Sequence, residues 1–187
     1  MPQVSVRDCG SGRDDRRWIE SVYRDYLTDL APLATGIFPA LGEVGHREPD
    51  QLLRWFADPS AQVLTILYDE APVGFAMVRR RSASATAAGR APNVPNAPNA
   101  PGGAAGQFSM AEFFIARAWR RRGIGAQAVR LLFDRFAGSW LITEHQDNGA
   151  AVKFWRGVVS AYTRGKYQER VVNGEVQQHF ESGPQRR

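Results

Sequence analysis

The chain has 187 residues, 43% of them hydrophobic and 11% aromatic, enough to bury a substantial core, so a single domain over 1–187 is expected. Its formal charge of +5 comes from arginines spread over both ends and the middle, not gathered into one stripe, which argues against a nucleic-acid partner. No run approaches the roughly 18–20 apolar residues of a membrane span, and the first residues lack the apolar core of a signal peptide; the expectation is a cytoplasmic protein with no membrane contact.

Val4-Ser5-Val6-Arg7 alternates and reads as a short strand, closed by turn formers from Asp8 to Gly12. Cys9, the lone cysteine, has no partner for a disulfide and no metal-ligand spacing around it; it reads as a small buried hydrophobe, and no metal is expected. Ile19, Val22, Tyr23, Tyr26, Leu27 and Leu30 recur at three- and four-residue steps, predicting a helix over about 14–30 in which both tyrosines pack inward. An apolar link rich in Pro and Gly, Ala31 to Arg47, follows and reads as irregular. It leads to Pro49, suited to the first turn of a helix carrying Leu52, Leu53, Trp55 and Phe56. Val63–Tyr68 and Val73–Val78, joined by Asp69-Glu70-Ala71-Pro72, read as a hairpin. From about 82 to 107 the composition turns to Ala, Pro, Asn, Gly and Ser with almost nothing to bury, which predicts a disordered insertion without a catalytic role; the alternative is a lid over the acceptor site.

The stretch 110–126 carries the chemistry. Phe113, Phe114 and Ile115 suit a buried strand, Gly123 and Gly125 bare the backbone, and from Gly125 onward an apolar helical face runs through Ala128, Val129, Leu132, Phe133 and Phe136. A helix beginning at glycines offers unpaired N–H groups and roughly half a positive charge, which is a phosphate cradle. Gly138 ends that helix, and Trp140–Thr143 form another strand. Asn148 caps a second amphipathic helix with Ala151, Val152, Trp155, Val158 and Val159 inward. Asn173-Gly174 between two β-prone runs closes the chain as a hairpin. His179, in its second run, reads as a strand-surface residue.

Arg120-Arg121-Arg122-Gly123-Ile124-Gly125 resembles the Arg/Gln-x-x-Gly-x-Gly/Ala signature of the GCN5-related N-acetyltransferase (GNAT) superfamily, in its strand–turn–helix setting. Downstream, Asn148, Ala151, Phe154 and Trp155 fill the places of the Asn, Ala and aromatic pair that follow the fifth strand in those proteins. The resemblance implies an α/β fold with a mixed, mostly antiparallel twisted sheet and about four helices, in the order β-α-α-β-β-β-α-β-α-β-β. It also implies acetyl-CoA as cosubstrate and a small-molecule or peptide amine as acceptor. Backbone groups of Phe113 and Ile115 would pair with the pantetheine arm, and the turn formed by Arg120, Arg121, Arg122, Gly123, Ile124, Gly125 and Ala126 would hold the pyrophosphate. Asn148, Phe154 and Trp155 would border the thiol end.

The proton chemistry departs from the pattern. Family members commonly place a tyrosine seven residues after the capping Asn to protonate the leaving thiolate; that position here is Trp155, whose indole N–H is no acid. Tyr162 is the substitute acid proposed on sequence, Tyr167 the next, with water as the alternative. Glu112, Glu144 and His145 are the base candidates; alternation turns Glu112 away from Phe113, and Glu144 stands nearer the expected gap between strands. Glu43, Asp50 and Glu144 are possible ammonium partners. A monomer and a homodimer both fit.

Overall fold

A computed structural model of the chain describes residues 3–11, 13–30, 49–81 and 106–183. In order these form β1 (Val4–Asp8), α1 (Arg13–Leu30), α2 (Pro49–Ala57), β2 (Ala61–Tyr68), β3 (Ala71–Arg80), β4 (Gly106–Ile115), α3 (Ile124–Arg135), β5 (Gly138–His145), α4 (Gly149–Thr163), β6 (Gln168–Val172) and β7 (Glu175–Ser182). The order matches the expected one. The strands make one sheet, β1-β2-β3-β4-β5-β7-β6, antiparallel throughout except between β4 and β5. The link 31–48 and most of the expected insertion, 82–105, fall outside the described residues; Gly106 and Gln107, assigned to that insertion on sequence, instead begin β4.

Local chemistry explains the turns. Asn173 and Gly174 take φ of 52° and 82°, the two left-handed positions that a tight hairpin between β6 and β7 requires. Asp69 and Glu70 do the same at 48° and 63° without a glycine, helped by Asp69 Oδ1 accepting from the Gln3 amide at 2.8 Å. Pro72, with no N–H to give, sits where the β2–β3 register shifts.

Two apolar layers cover the sheet. On one face α3 and α4 pack through Val129, Leu132, Phe133, Trp155, Val158 and Val159 onto Phe108, Trp140 and Phe180. Trp140 is fully buried, yet its indole N–H donates to the Phe136 carbonyl at 2.9 Å and to Ser182 Oγ at 3.0 Å, so its burial leaves no polar group unpaired. On the other face α1 and α2 bring Ile19, Tyr23, Tyr26, Leu52 and Trp55 against Val63, Phe75, Met77 and Phe114. Cys9 is buried in this second layer, as its small apolar character predicts.

β4 belongs to both layers because of a bulge. Val78 pairs with Met110 but Met77 with Glu112, so Ala111 is an extra residue without a partner opposite it. Before the bulge Phe108 and Met110 face α3 and α4; after it Phe113 and Ile115 do, while Phe114 faces α1. The phase shift is what brings Glu112 to the α1 side.

Candidate active site

The parallel pair β4–β5 is joined only from Gly106 to Ser109 on one strand and from Gly138 to Leu141 on the other. Beyond those residues β4 stays bonded to β3 as far as Ile115, and β5 to β7 as far as His145, so the two facing edges part. The result is a slot whose β4 edge, Met110 to Ile115, presents strand backbone with no neighbouring strand on that side among the described residues. An extended ligand arm can take up that backbone as an added strand would.

The slot ends at the start of α3. After a short helical turn at Arg117–Trp119 the chain is extended at Arg120, left-handed at Arg121 (φ 62°) and left-handed again at Gly123 (φ 77°), the residue that caps α3. The first helical bond runs from the Gln127 amide to the Gly123 carbonyl at 3.1 Å. Among the described residues, the amides from Arg121 to Ala126 have no acceptor. They carry the positive end of the helix dipole and form an anion nest. Gly123 is favoured by its left-handed φ; at Gly125 a Cβ would lie 3.4 Å from the Phe154 ring and 3.6 Å from Ile115 Cγ1, within ordinary contact, so the glycine leaves this corner open and does not relieve a clash.

The four arginines of this turn do not act alike. Arg120 turns inward: its Nε donates to the Ile115 carbonyl at 2.6 Å, its other end bonds Asp29 Oδ2, and its guanidinium lies 5.4 Å from the Phe114 ring centroid. Arg117 bonds Asp29 Oδ1 at 2.7 and 3.0 Å. Arg122 stacks 5.2 Å from the Trp119 ring centroid, and Arg121 is exposed. Asp29 thus binds two guanidinium groups and offsets one of their two charges, while Arg121 and Arg122 stand beside the nest. The Arg120 side chain clamps the turn, bonded to the Ile115 carbonyl and to Asp29.

The opposite wall is aromatic. Asn148 caps α4, its Oδ1 accepting from the Ala151 amide at 3.1 Å, a bond of about 1 kcal/mol. This fixes the helix so that Phe154 stacks on Phe113 with centroids 5.7 Å apart, and Trp155 meets Phe113 edge-on at 5.4 Å. The structure therefore places Phe113, Ile115, the 121–126 amides, Asn148, Phe154 and Trp155 around the slot.

It does not bring the two proposed catalytic groups to them. Tyr162 lies two turns further along α4, buried against Phe133 and Phe180, where its hydroxyl donates to Asp134 Oδ1 at 2.8 Å and to the Gly183 carbonyl at 3.3 Å. Burial, and then the Asp134 carboxylate, push its pKa up, the wrong direction for an acid that must release a proton. Glu144 faces α4 under the sheet, 7% exposed, with neither carboxyl oxygen hydrogen-bonded. Burial, reinforced by Glu169 and opposed by Arg156, raises its pKa to about 8, so at neutral pH it is largely protonated. His145 Nδ1 accepts from the Asp147 amide at 3.2 Å, at the turn below the slot. Tyr167 packs against the α3/α4 layer. Glu43 and the side chain of Asp50 lie outside the described residues.

Sequence reasoning named Glu112 as a base candidate but read Tyr26 as packing and missed that the two meet on the α1 side. The Tyr26 hydroxyl donates to Glu112 Oε2, beside the bulge, within a wall made by Tyr23, Trp55, Phe75 and Phe114. Tyr26 follows the helical apolar stripe, so its pattern reports packing and hides the hydroxyl's partner. The signal that was available is the slip in β4 from Phe108 and Met110 to Phe113 and Ile115, an extra residue in an otherwise two-residue period.

A slot between parted parallel strands that ends at bare helix amides defines a site for an extended ligand with a phosphate head. A model of the acetyltransferase (GNAT) family matches residues 19–158, and the chain belongs to that family. No curated protein matches the sequence. Among solved structures the fold is similar to that of a GNAT-family acetyltransferase from Streptococcus agalactiae (12% identity, 96% of this chain and 95% of that one, TM-score 0.63). It is also similar to Arabidopsis thaliana NAA60 in complex with acetyl-CoA (11% identity, 96% and 98% covered, TM-score 0.59). A third is the PaiA N-acetyltransferase of Thermoplasma acidophilum in complex with coenzyme A (8% identity, 96% and 99% covered, TM-score 0.54).

Proposed function

We propose that this chain moves an acetyl group from acetyl-CoA to a primary amine of a small-molecule or peptide acceptor. The observation that carries this reading is the slot itself, which opens beside unpaired amides where the resemblance calls for a thioester donor. The complexes of NAA60 with acetyl-CoA and of PaiA with coenzyme A support the same donor here. In this reading the amides of Arg121 to Ala126, with Arg121 and Arg122 beside them, hold the pyrophosphate. The β4 backbone at Phe113 and Ile115 takes the pantetheine arm, and Phe154 and Trp155 border its thiol end.

Bound acetyl-CoA supplies an activated carbonyl. An amine arriving as ammonium must lose a proton before its nitrogen attacks that carbon; the C–N bond then forms, the C–S bond breaks and the sulfur leaves as thiolate. Glu112 is the base in this reading, because it alone among the base candidates lies next to the bulge on the α1 face and is held by the Tyr26 hydroxyl. With Trp155 in place of a tyrosine and Tyr162 bonded to Asp134, water relays to the thiolate the second proton that the nitrogen sheds as it becomes an amide. Calorimetric titration of the intact protein with acetyl-CoA tests the donor: one saturable site is expected, and no binding at tens of micromolar overturns the proposal.

Trp155 also favours a second reading, a protein of this fold that binds CoA without turnover. Transfer to any member of an amine panel above the uncatalysed rate removes it.

A further inference from the structure

Asp29 occupies an unfavourable place. It sits in the last turn of α1, where the helix dipole is negative and where this helix carries no basic residue. Its carboxylate is instead met from 88 and 91 positions further along the chain, by Arg117 and Arg120. A residue that breaks a local rule and is compensated only across the fold marks a constraint other than helix stability.

The surroundings make Asp29 a fixed point. Tyr26, one turn earlier on the same helix face, is buried among Trp55, Phe75 and Phe114, so the end of α1 is held by packing and not by Asp29. Arg120 in turn holds the Ile115 carbonyl, the last residue of β4, at 2.6 Å. One carboxylate therefore ties the end of α1 to both flanks of the turn that leads into Arg121 and Gly123. Burial tends to raise the Asp29 pKa, but the bonds from Arg120 and Arg117 outweigh it and keep the carboxyl below its ordinary value, so the latch is charged at neutral pH.

We infer that Asp29 is a positioning residue for the donor site: through Arg117 and Arg120 it sets the backbone of the 116–123 turn so that the amides beyond it face a pyrophosphate. The inference rests on the acetyl-CoA reading above. It makes the first arginine of the signature a structural clamp whose effect on the ligand passes through an acid on the opposite side of the sheet. Neutralising Asp29 would free two guanidinium groups, adding positive charge near the phosphates; a merely electrostatic role for the arginines thus predicts tighter binding on Asp29→Asn, and a positioning role predicts weaker binding.

The test is calorimetry with CoA on the intact protein and on Asp29→Asn, Asp29→Glu, Arg120→Ala and the Asp29→Asn/Arg120→Ala double variant. The expectation is about tenfold weaker binding for Asp29→Asn and for Arg120→Ala, no further loss in the double variant because the pair acts as one unit, and substantial recovery in Asp29→Glu. Binding by Asp29→Asn within twofold of the intact protein, or tighter, overturns the inference. So do losses that multiply in the double variant. Should Asp29→Asn fail to fold by circular dichroism, the same decision falls to Asp29→Glu against Arg117→Ala/Arg120→Ala: the latch predicts near-native binding for the first and at least about tenfold loss for the second. Failure of the unsubstituted protein to bind CoA would instead sink the acetyl-CoA reading.

Discussion

The two faces of β4 past Ala111 differ in kind. On the α3/α4 face, Phe113 and Ile115 border a slot whose polar equipment is backbone: bare amides and a parted strand edge. On the α1 face, Glu112 and Phe114 meet side chains, a tyrosine hydroxyl and a wall of rings. A backbone site depends on φ and register, whereas a side-chain site depends on which functional group stands at one position. The slot is therefore vulnerable to changes of backbone shape, and the α1 face to changes of single atoms.

The largest expected effect follows from the first half of that contrast. Gly123→Val places a β-branched residue at φ 77°, a conformation that L residues adopt at a cost of roughly 1–3 kcal/mol, and swings the nest amides away. CoA binding should fall about a hundredfold or more by calorimetry, with the sheet intact by circular dichroism. Glu112→Gln changes the second half alone. Acetyl transfer to the best amine of a panel should drop by about 100- to 1,000-fold, while the CoA dissociation constant stays within about twofold. Equal losses in both quantities would erase the distinction between the faces.

Glu144 separates a buried acid from a working one. Its pKa is raised from 4.5 to about 8, so between those values the folded state holds a proton that the unfolded state has released, and stability falls as pH rises through that window. Glu144→Gln should remove the fall. Its melting temperature should match the parent near pH 4.5 and exceed it at pH 8.5 by the equivalent of roughly several kcal/mol, with acetyl transfer little changed. A flat stability difference across pH would mean that Glu144 finds a partner when ionised. The smallest effect belongs to Tyr162→Phe, which deletes the bond to Asp134: a stability loss of about 1–2 kcal/mol in urea titration and turnover within about twofold of the parent.

The same contrast explains what could be read from residue order. Gly123 and Asn148 announce themselves because few other residues suit a left-handed turn or a helix start. The hairpin at Asn173-Gly174 was legible for the same reason. Side chains that matter through a distant partner were not. Tyr26 and Tyr162 both lie on apolar helical stripes, yet one hydroxyl reaches Glu112 and the other Asp134, and no local pattern tells them apart. Arg120 heads the motif, yet its side-chain partners, Asp29 and the Ile115 carbonyl, are not announced by the motif's spacing. Glu144 follows alternation along β5, which put it at the gap in one dimension and under α4 in three.

A crystal structure with CoA bound tests the central claim most directly. The account predicts the pantetheine arm between β4 and β5 beyond Ser109, bonded to main-chain groups of Phe113 and Ile115, with pyrophosphate oxygens within hydrogen-bond distance of amides in the Arg121–Ala126 turn. CoA seated elsewhere, or β4 and β5 paired along their whole length in the complex, would contradict it.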